Sequence, residues 1–278
     1  MGLRARGIYK TPSELAAMVA PGLATAASLA AVRAAIRPGV TTLELDAIAE
    51  NTIRNLGGVS NFKKEPGYSH TICTSVNDDV VHGIPGGRMI EPGDIVSIDS
   101  GAELGGWNGD AAFSVVVPDS SRPAVVAERS KLADDTEQSL WHGIAALARA
   151  RQLNEVGAAV EDYLDGAGHY GILEDYVGHG IGRAMHEEPP VFNYRVRGRG
   201  AEVKPGLVVA IEPMVTLGGI DTFTREDGWT VATSDGTAAA HWEHSVAVHT
   251  GGIWVLTAED GGAAGLAALG VIPVPIVP

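Results

Sequence analysis

The stretch Pro92-Gly93-Asp94-Ile95-Val96-Ser97-Ile98-Asp99 decides the fold, because it returns as Pro205-Gly206-Leu207-Val208-Val209-Ala210-Ile211-Glu212. Each copy is a Pro-Gly turn followed by a short apolar strand that ends on a carboxylate. Upstream of each lies a second repeated element, His82-Gly83-Ile84-Pro85 and His179-Gly180-Ile181-Gly182. Downstream of each a further acid stands near a Trp: Asp110 after Trp107, and Glu243 after Trp242. One His, acid, acid series therefore occurs twice. Two His and four carboxylates converging on one centre would make a site for two divalent metals.

Helical patterns flank these strands. Thr11-Pro12-Ser13-Glu14 is a capping box with Pro at the first helical position. Apolar residues from Leu15 to Ile36 follow at helical spacing, and Pro21 among them predicts a kink, or two helices in place of one. Thr41-Thr42-Leu43-Glu44 caps a second helix that Gly57-Gly58 stops. From Ser69 to Val117 short apolar runs broken by Pro-Gly, Gly-Gly and Asn-Gly predict strands and hairpins. Trp107-Asn108-Gly109-Asp110 reads as a tight turn leading into a strand over 111–117. Ala124 to Ala150 and Asn154 to Ala167 read as helices, and strands return from Leu207 to Val255. Helices then strands, twice over, is an α+β pattern. It divides one unit, residues 1–278, into related halves at about 10–120 and 121–258 that share a sheet. The tail 259–278 ends Ile272-Pro273-Val274-Pro275-Ile276-Val277-Pro278 and reads as extended, since alternating Pro removes backbone donors.

Composition narrows the partners. The 278 residues carry 34 acids against 20 bases, a net charge of −14, which argues against DNA as a partner. Cys73 is the single cysteine, so no intrachain disulfide forms, in keeping with a reducing compartment. Arg4, Arg6 and Lys10 ahead of an Ala-rich run resemble a signal peptide superficially, but Glu14 and Pro21 interrupt the run. No stretch reads as approaching the ~20 apolar residues of a membrane span. The expectation is a cytoplasmic protein with no membrane partner.

Hard divalent ions favour carboxylate oxygens, with imidazole as a softer addition. Asp99 and Asp110 lie eleven residues apart, on what would be the two strands of one hairpin, so their side chains can meet. Singly, each is an ordinary turn or cap residue, and a lone His is more often surface or structural. Glu212 is different, because it closes an apolar run, and so is Glu243, between Trp242 and His244 ahead of Ser245-Val246-Ala247-Val248. A carboxylate so placed must be paired, protonated or bound to metal. No basic residue sits within the strand motifs to pair with them.

The whole set of motifs resembles the type I bacterial methionine aminopeptidases, the short form, of the M24 metallopeptidase family. The likeness runs from Lys10 to Leu256 and is carried by Ile72-Cys73-Thr74-Ser75-Val76-Asn77, Val81-His82-Gly83-Ile84-Pro85, Asp94 to Asp99 and Gly106-Trp107-Asn108-Gly109-Asp110. It continues through Gly178-His179-Gly180-Ile181-Gly182-Arg183, His186-Glu187-Glu188-Pro189, Ala210-Ile211-Glu212-Pro213-Met214 and Trp242-Glu243-His244. The resemblance implies a pita-bread fold, a curved antiparallel sheet with flanking helices and pseudo-twofold symmetry. It implies Asp99, Asp110, His179, Glu212 and Glu243 as ligands of two divalent ions (Co, Mn, Fe, Zn or Ni), with Asp110 and Glu243 bridging. It also implies His82 beside the scissile amide, His186 on the substrate carbonyl, and Glu212 as proton shuttle. Tyr68, Cys73, Met185 and Trp229 would line the methionine pocket. The implied reaction removes initiator methionine ahead of a small second residue. The implied partners are nascent chains, with ribosome association compatible with that role and the enzyme acting as a monomer.

Three departures stand out: Glu65-Pro66 where Tyr-His is common, Met185 where an aromatic is common, and Pro21 where relatives run a continuous helix. A proline-directed aminopeptidase of the same fold is the alternative enzyme, but only about seventy residues precede the first motif, too few for an extra domain. A non-catalytic binding module is the alternative of another class, and it would be expected to have lost ligands.

Overall fold

The computed structural model describes residues 7–277, so Arg4, Arg6 and Pro278 lie outside the described residues. Helix α1 (Pro12–Ala35) opens with the expected capping box: Glu14 N–H donates to Thr11 Oγ1, and Thr11 N–H donates to Glu14 Oε2 at 2.9 Å. Pro21 does not divide it. Pro21 is buried where α1 crosses the sheet at Gly109, and a Cβ at Gly109 would come within 2.9 Å of the Pro21 carbonyl carbon. Packing over that close approach offsets the hydrogen bond the proline lacks. By length and composition α1 is also apolar enough to cross a membrane, which corrects the reading that no stretch approaches a span. Half of its most apolar stretch is buried inside the fold, where small residues such as Gly22 and Ala24 let the helix lie close on the strands.

Helix α2 (Thr42–Asn55) repeats the capping box with Thr41 and Glu44. Helices α3 (Pro123–Leu147) and α4 (Asn154–Ala167) pack on each other, α3 ending three residues short of the expected Ala150. The Gly-rich tail is not wholly extended: α5 (Ala263–Leu266) and a 3-10 turn (Ala267–Leu269) precede the proline run, because Leu266 is drawn into the core. Beyond them Val274 N–H donates to the Ile253 carbonyl at 2.9 Å.

Among the described residues the main sheet has nine strands, in the order Val59–Ser60, Ile95–Leu104, Trp107–Val116, Glu243–His249, Val208–Ile211, Gly178–Gly180, Glu187–Val191. Ile72–Val76 also pairs with Ile95–Leu104, and Gly252–Val255 with Glu243–His249; every pairing is antiparallel. The order is symmetric about its middle. The two strands that follow the Pro-Gly turns, 95–104 and 208–211, each flank an inner strand that carries the second acid. The turn of the first hairpin is Gly105-Gly106, with φ of +60° and +75°, so Trp107 to Asp110 lie inside the strand and not in a turn. A two-residue hairpin loop of type I′ needs φ > 0 at both positions, which Gly-Gly meets at least cost. One large core, including Ile98, Phe113, Leu140, Ile144, Val209 and Ile211, fills the space between this sheet and the helices.

Candidate metal centre

Strand register alone brings the flagged acids to one row. Cys73 pairs with Asp99, Asp99 with Ala112, and Ala112 on its other side with Glu243. The pairing of His244 with Ile211 continues one step to set Glu212 opposite Glu243. Cross-strand partners point to the same face, so Cys73, Asp99, Glu243 and Glu212 share it. Asp110 lies two residues from Ala112 and therefore on that face too. Gly180 pairs with Val209, which sets His179 opposite Ala210 and diagonal to Glu212, again on the same face. Five adjacent strands thus aim five acids and imidazoles at one point.

Loops complete the wall. His82 follows the short strand Asp79–Val81 with φ +60°, a left-handed backbone uncommon for a side-chain-bearing residue and found where a site holds it. His186 stands with its ring centroid 4.5 Å from that of His179, at 71°. Phe62, Tyr68, Cys73 and Met185 form a small apolar cluster with Trp229 against it, Tyr68 and Trp229 meeting edge-on at 5.1 Å. Together these residues line a cavity of about 150 Å³ that takes in all eleven positions singled out from the sequence. Phe62, Glu65 and Val81 also line it. Wider hollows exist, one of about 680 Å³ beside Tyr9, Trp107 and Arg183, but neither that hollow nor its neighbour beside His249 gathers unpartnered carboxylates.

The electrostatics are unusual. Among the described residues the lining includes no Lys or Arg, and Asp110, Glu212 and Glu243 are buried. Asp99 Oδ1, Asp110 Oδ1 and Glu243 Oε1 are sealed from solvent without a hydrogen-bond partner. Burial pushes the Asp99 carboxyl up to about 7. Burial, then the negative charges of the neighbours, drives Asp110, Glu212 and Glu243 well above the usual carboxylate range. Burial, then His186, holds His82 and His179 down at about 4, so both are neutral at pH 7. His179 Nδ1 donates to the Gly180 carbonyl at 3.0 Å, which leaves Nε2 with a free lone pair facing the acids.

This donor set fits a divalent cation. Ligand atoms of Asp110, His179 and Glu243 all lie within 4.8 Å of one another. Carboxylate oxygens with one neutral imidazole suit first-row divalent metals, and a cation would satisfy the orphaned oxygens at once.

Residues 16–250 match the family model described as metallopeptidase family M24. The chain belongs to metallopeptidase family M24. Its relatives in that family include methionine aminopeptidase 1 of Mycobacterium tuberculosis, 45% identical over 92% of this chain and 97% of the relative. Methionine aminopeptidase 1 of Bacillus subtilis is 40% identical over 90% of this chain and 98% of the relative. The solved methionine aminopeptidase of Thermotoga maritima superposes with a TM-score of 0.84 at 36% identity, covering 90% of this chain and 99% of that one. The fold is accordingly the pita-bread fold, as the resemblance implied. A prolidase from Pyrococcus furiosus shares the fold at TM-score 0.68 and 20% identity, but this chain covers only 65% of it.

One residue of this M24 metallopeptidase escaped the sequence reading. His241 is fully buried behind Glu212, with Nε2 3.8 Å from Glu212 Oε2 and without a hydrogen-bond partner. Burial, then His82, holds it down at about 3. The available signal was a His closing the apolar run Ala238-Ala239-Ala240, two residues before a flagged acid. Phe62 carried no such signal, since an aromatic beside Lys63-Lys64 looks like any core residue.

Proposed function

We propose that this chain is a metal-dependent methionine aminopeptidase that removes the N-terminal methionine of peptides and nascent proteins when the second residue is small. The observation that carries the reading is the row of unpartnered acids on one face of the sheet, opening directly onto an apolar slot for one side chain. Asp99, Asp110, His179, Glu212 and Glu243 would hold two divalent ions, with Asp110 and Glu243 central in the row. Bound there, the metals supply Lewis-acid polarisation of the scissile carbonyl and acidify the attacking water.

The protein's own residues do the rest. Phe62, Tyr68, Cys73, Met185 and Trp229 receive the unbranched thioether side chain and exclude water from it. Tyr68 is held in place by donating its hydroxyl to the Ile72 carbonyl at 2.7 Å. His186 donates to the substrate carbonyl as negative charge develops on it, and His82 orients the scissile amide. Glu212 accepts a proton from the attacking water and passes it to the leaving amine. Met185 gives the slot a flexible wall where a ring would be rigid. We place the enzyme in the cytoplasm as a monomer, acting on chains as they leave the ribosome.

The deciding experiment follows free methionine from Met-Ala-Ser and Met-Leu-Ser peptides, using metal-stripped protein with Mn2+ or Co2+ added back. Metal-dependent release from the first peptide alone, abolished by Glu212→Ala, is the expected result. No release from either peptide with metal bound would leave a binding module on this scaffold.

A further inference from the structure

Glu212 sits between two imidazoles. His179 Nε2 stands 3.4 Å from its Oε1, and His241 Nε2 stands 3.8 Å from its Oε2. Their positions differ. His179 lines the cavity, whereas His241 is only 1% exposed and lies behind the carboxylate. The His241 backbone is pinned on both sides. Its N–H donates to Ser114 Oγ at 2.9 Å, and the Ser114 hydroxyl donates to its carbonyl at 2.9 Å. Across the opposite strand edge it pairs with Met214, two residues past Glu212. The ring thus rides on a strand paired with the one that Glu212 leads into, Met214–Thr216.

A polar nitrogen sealed from water and left without a partner is rare in folded proteins and calls for a physical reason. Here a carboxylate oxygen, Glu212 Oε2, stands 3.8 Å from the orphaned Nε2. We propose that His241 is a positioning residue for Glu212, its Nε2–H donating to Oε2 and holding Oε1 toward the cavity. With a cation bound, the Glu212 carboxylate is ionised and only accepts, so the nitrogen facing it is the protonated one. A hydrogen bond at about 2.7–3.2 Å brings the two atoms less than about 1.2 Å closer than they stand here. Asn193 Nδ2 already anchors the Glu212 carbonyl at 3.1 Å, so the backbone is held and the free variable is the carboxylate plane. A group that must both ligate and carry a proton needs that plane fixed, which is what partners behind the ligands of metal sites do. His241 itself forms no bond to substrate and transfers no proton.

This inference rests on the aminopeptidase reading, and two substitutions test it. His241→Phe keeps a ring of similar size without a donor, while His241→Gln restores a donor in a different shape. The readouts are kcat and KM on Met-Ala-Ser with saturating Mn2+, and Mn2+ affinity of metal-stripped protein by calorimetry. Loss of positioning lowers kcat about tenfold or more in the Phe variant and weakens Mn2+ binding by a similar factor, with KM little changed. His241→Gln recovers most of both. A packing role alone gives the reverse order, Phe near wild type and Gln impaired, and that result overturns the proposal. If the Phe variant does not melt cooperatively, His241→Leu takes its place under the same criteria. Failure of the wild type to release methionine would instead overturn the aminopeptidase reading, while the calorimetry still decides whether His241 supports the metal ligand.

Discussion

Buried carboxylates occur in two regions of this molecule and keep opposite company. Beside the strand 79–81, Asp79 Oδ1 accepts from Arg225 Nε at 2.6 Å and its Oδ2 from Arg88 Nη1 at 3.1 Å. Asp46 likewise accepts the N–H groups of Thr71 and Ile72 at 2.7 and 3.0 Å, and Asp94 that of Glu91 at 2.9 Å. In the row across the main sheet, Asp99, Asp110 and Glu243 each keep an orphaned oxygen, and among the described residues no Lys or Arg lines their cavity. The first group is complete as the chain folds and serves the fold. The second is completed only by something the chain does not encode. Burial is common to both, so it is the partner, and not depth, that separates a structural acid from a functional one.

The largest effect that follows is catalytic. Glu212→Gln preserves shape and removes the proton acceptor, so kcat for methionine release falls about 10²–10⁴-fold. Asp79→Asn, equally buried, leaves kcat near wild type. Steady-state assays of the pair check the contrast, and equal losses in both would erase the distinction between the two regions.

Much of this contrast was legible in the sequence. Glu212 and Glu243 announced themselves because apolar runs end or begin on them, and the doubled Pro-Gly strand placed Asp99 in the position matching Glu212. The symmetric strand order follows from that repeat. What the residues did not disclose were outcomes decided by packing between distant segments. The unbroken course of α1 through Pro21 depends on Gly109 beneath it, and the fold of the tail depends on where Leu266 can be buried. The hairpin turn was misplaced because Asn108-Gly109 is a strong turn signal by composition, while Gly105-Gly106 supplies the two positive φ angles. His241 was missed because its meaning comes from a glutamate twenty-nine residues away.

Titration sharpens the comparison next. The metal-free centre holds carboxyls whose folded values are raised, Asp99 to about 7 against about 3.9 unfolded. The stability they contribute is complete below pH about 4 and is lost as pH rises through 7, and further for Asp110, Glu212 and Glu243. His82 and His179, held down at about 4, act in the other direction, losing stability as pH falls below about 6.5. Above that point the carboxyls, joined from pH about 8.5 by the buried Cys73 thiol, all act in the same direction. In EDTA, therefore, Tm falls as pH rises from 6.5 to 9. Mn2+ removes that slope, because the ionised carboxylates are then paired with a cation, and binding releases protons. Melting curves with and without metal across this range check it, and a flat profile in EDTA would mean that the acids already have partners.

The smallest effect has the sharpest sign. In the metal-free protein at pH 8, Asp110→Asn removes a carboxyl whose ionisation burial and then its acidic neighbours disfavour, so the variant melts higher than wild type. Asp79→Asn takes a paired acceptor from Arg225 and Arg88, and destabilises by about 1–3 kcal/mol, the usual cost of breaking a buried hydrogen-bonded charge. With Mn2+ present the Asp110 variant loses its advantage, since it has discarded a ligand, while the Asp79 variant is equally impaired in both conditions. A thermal melt of each variant, with and without metal, thus gives four shifts whose signs are fixed in advance. If Asp110→Asn were destabilising without metal, its carboxylate would have a partner in the folded chain. The two regions would then differ in position only.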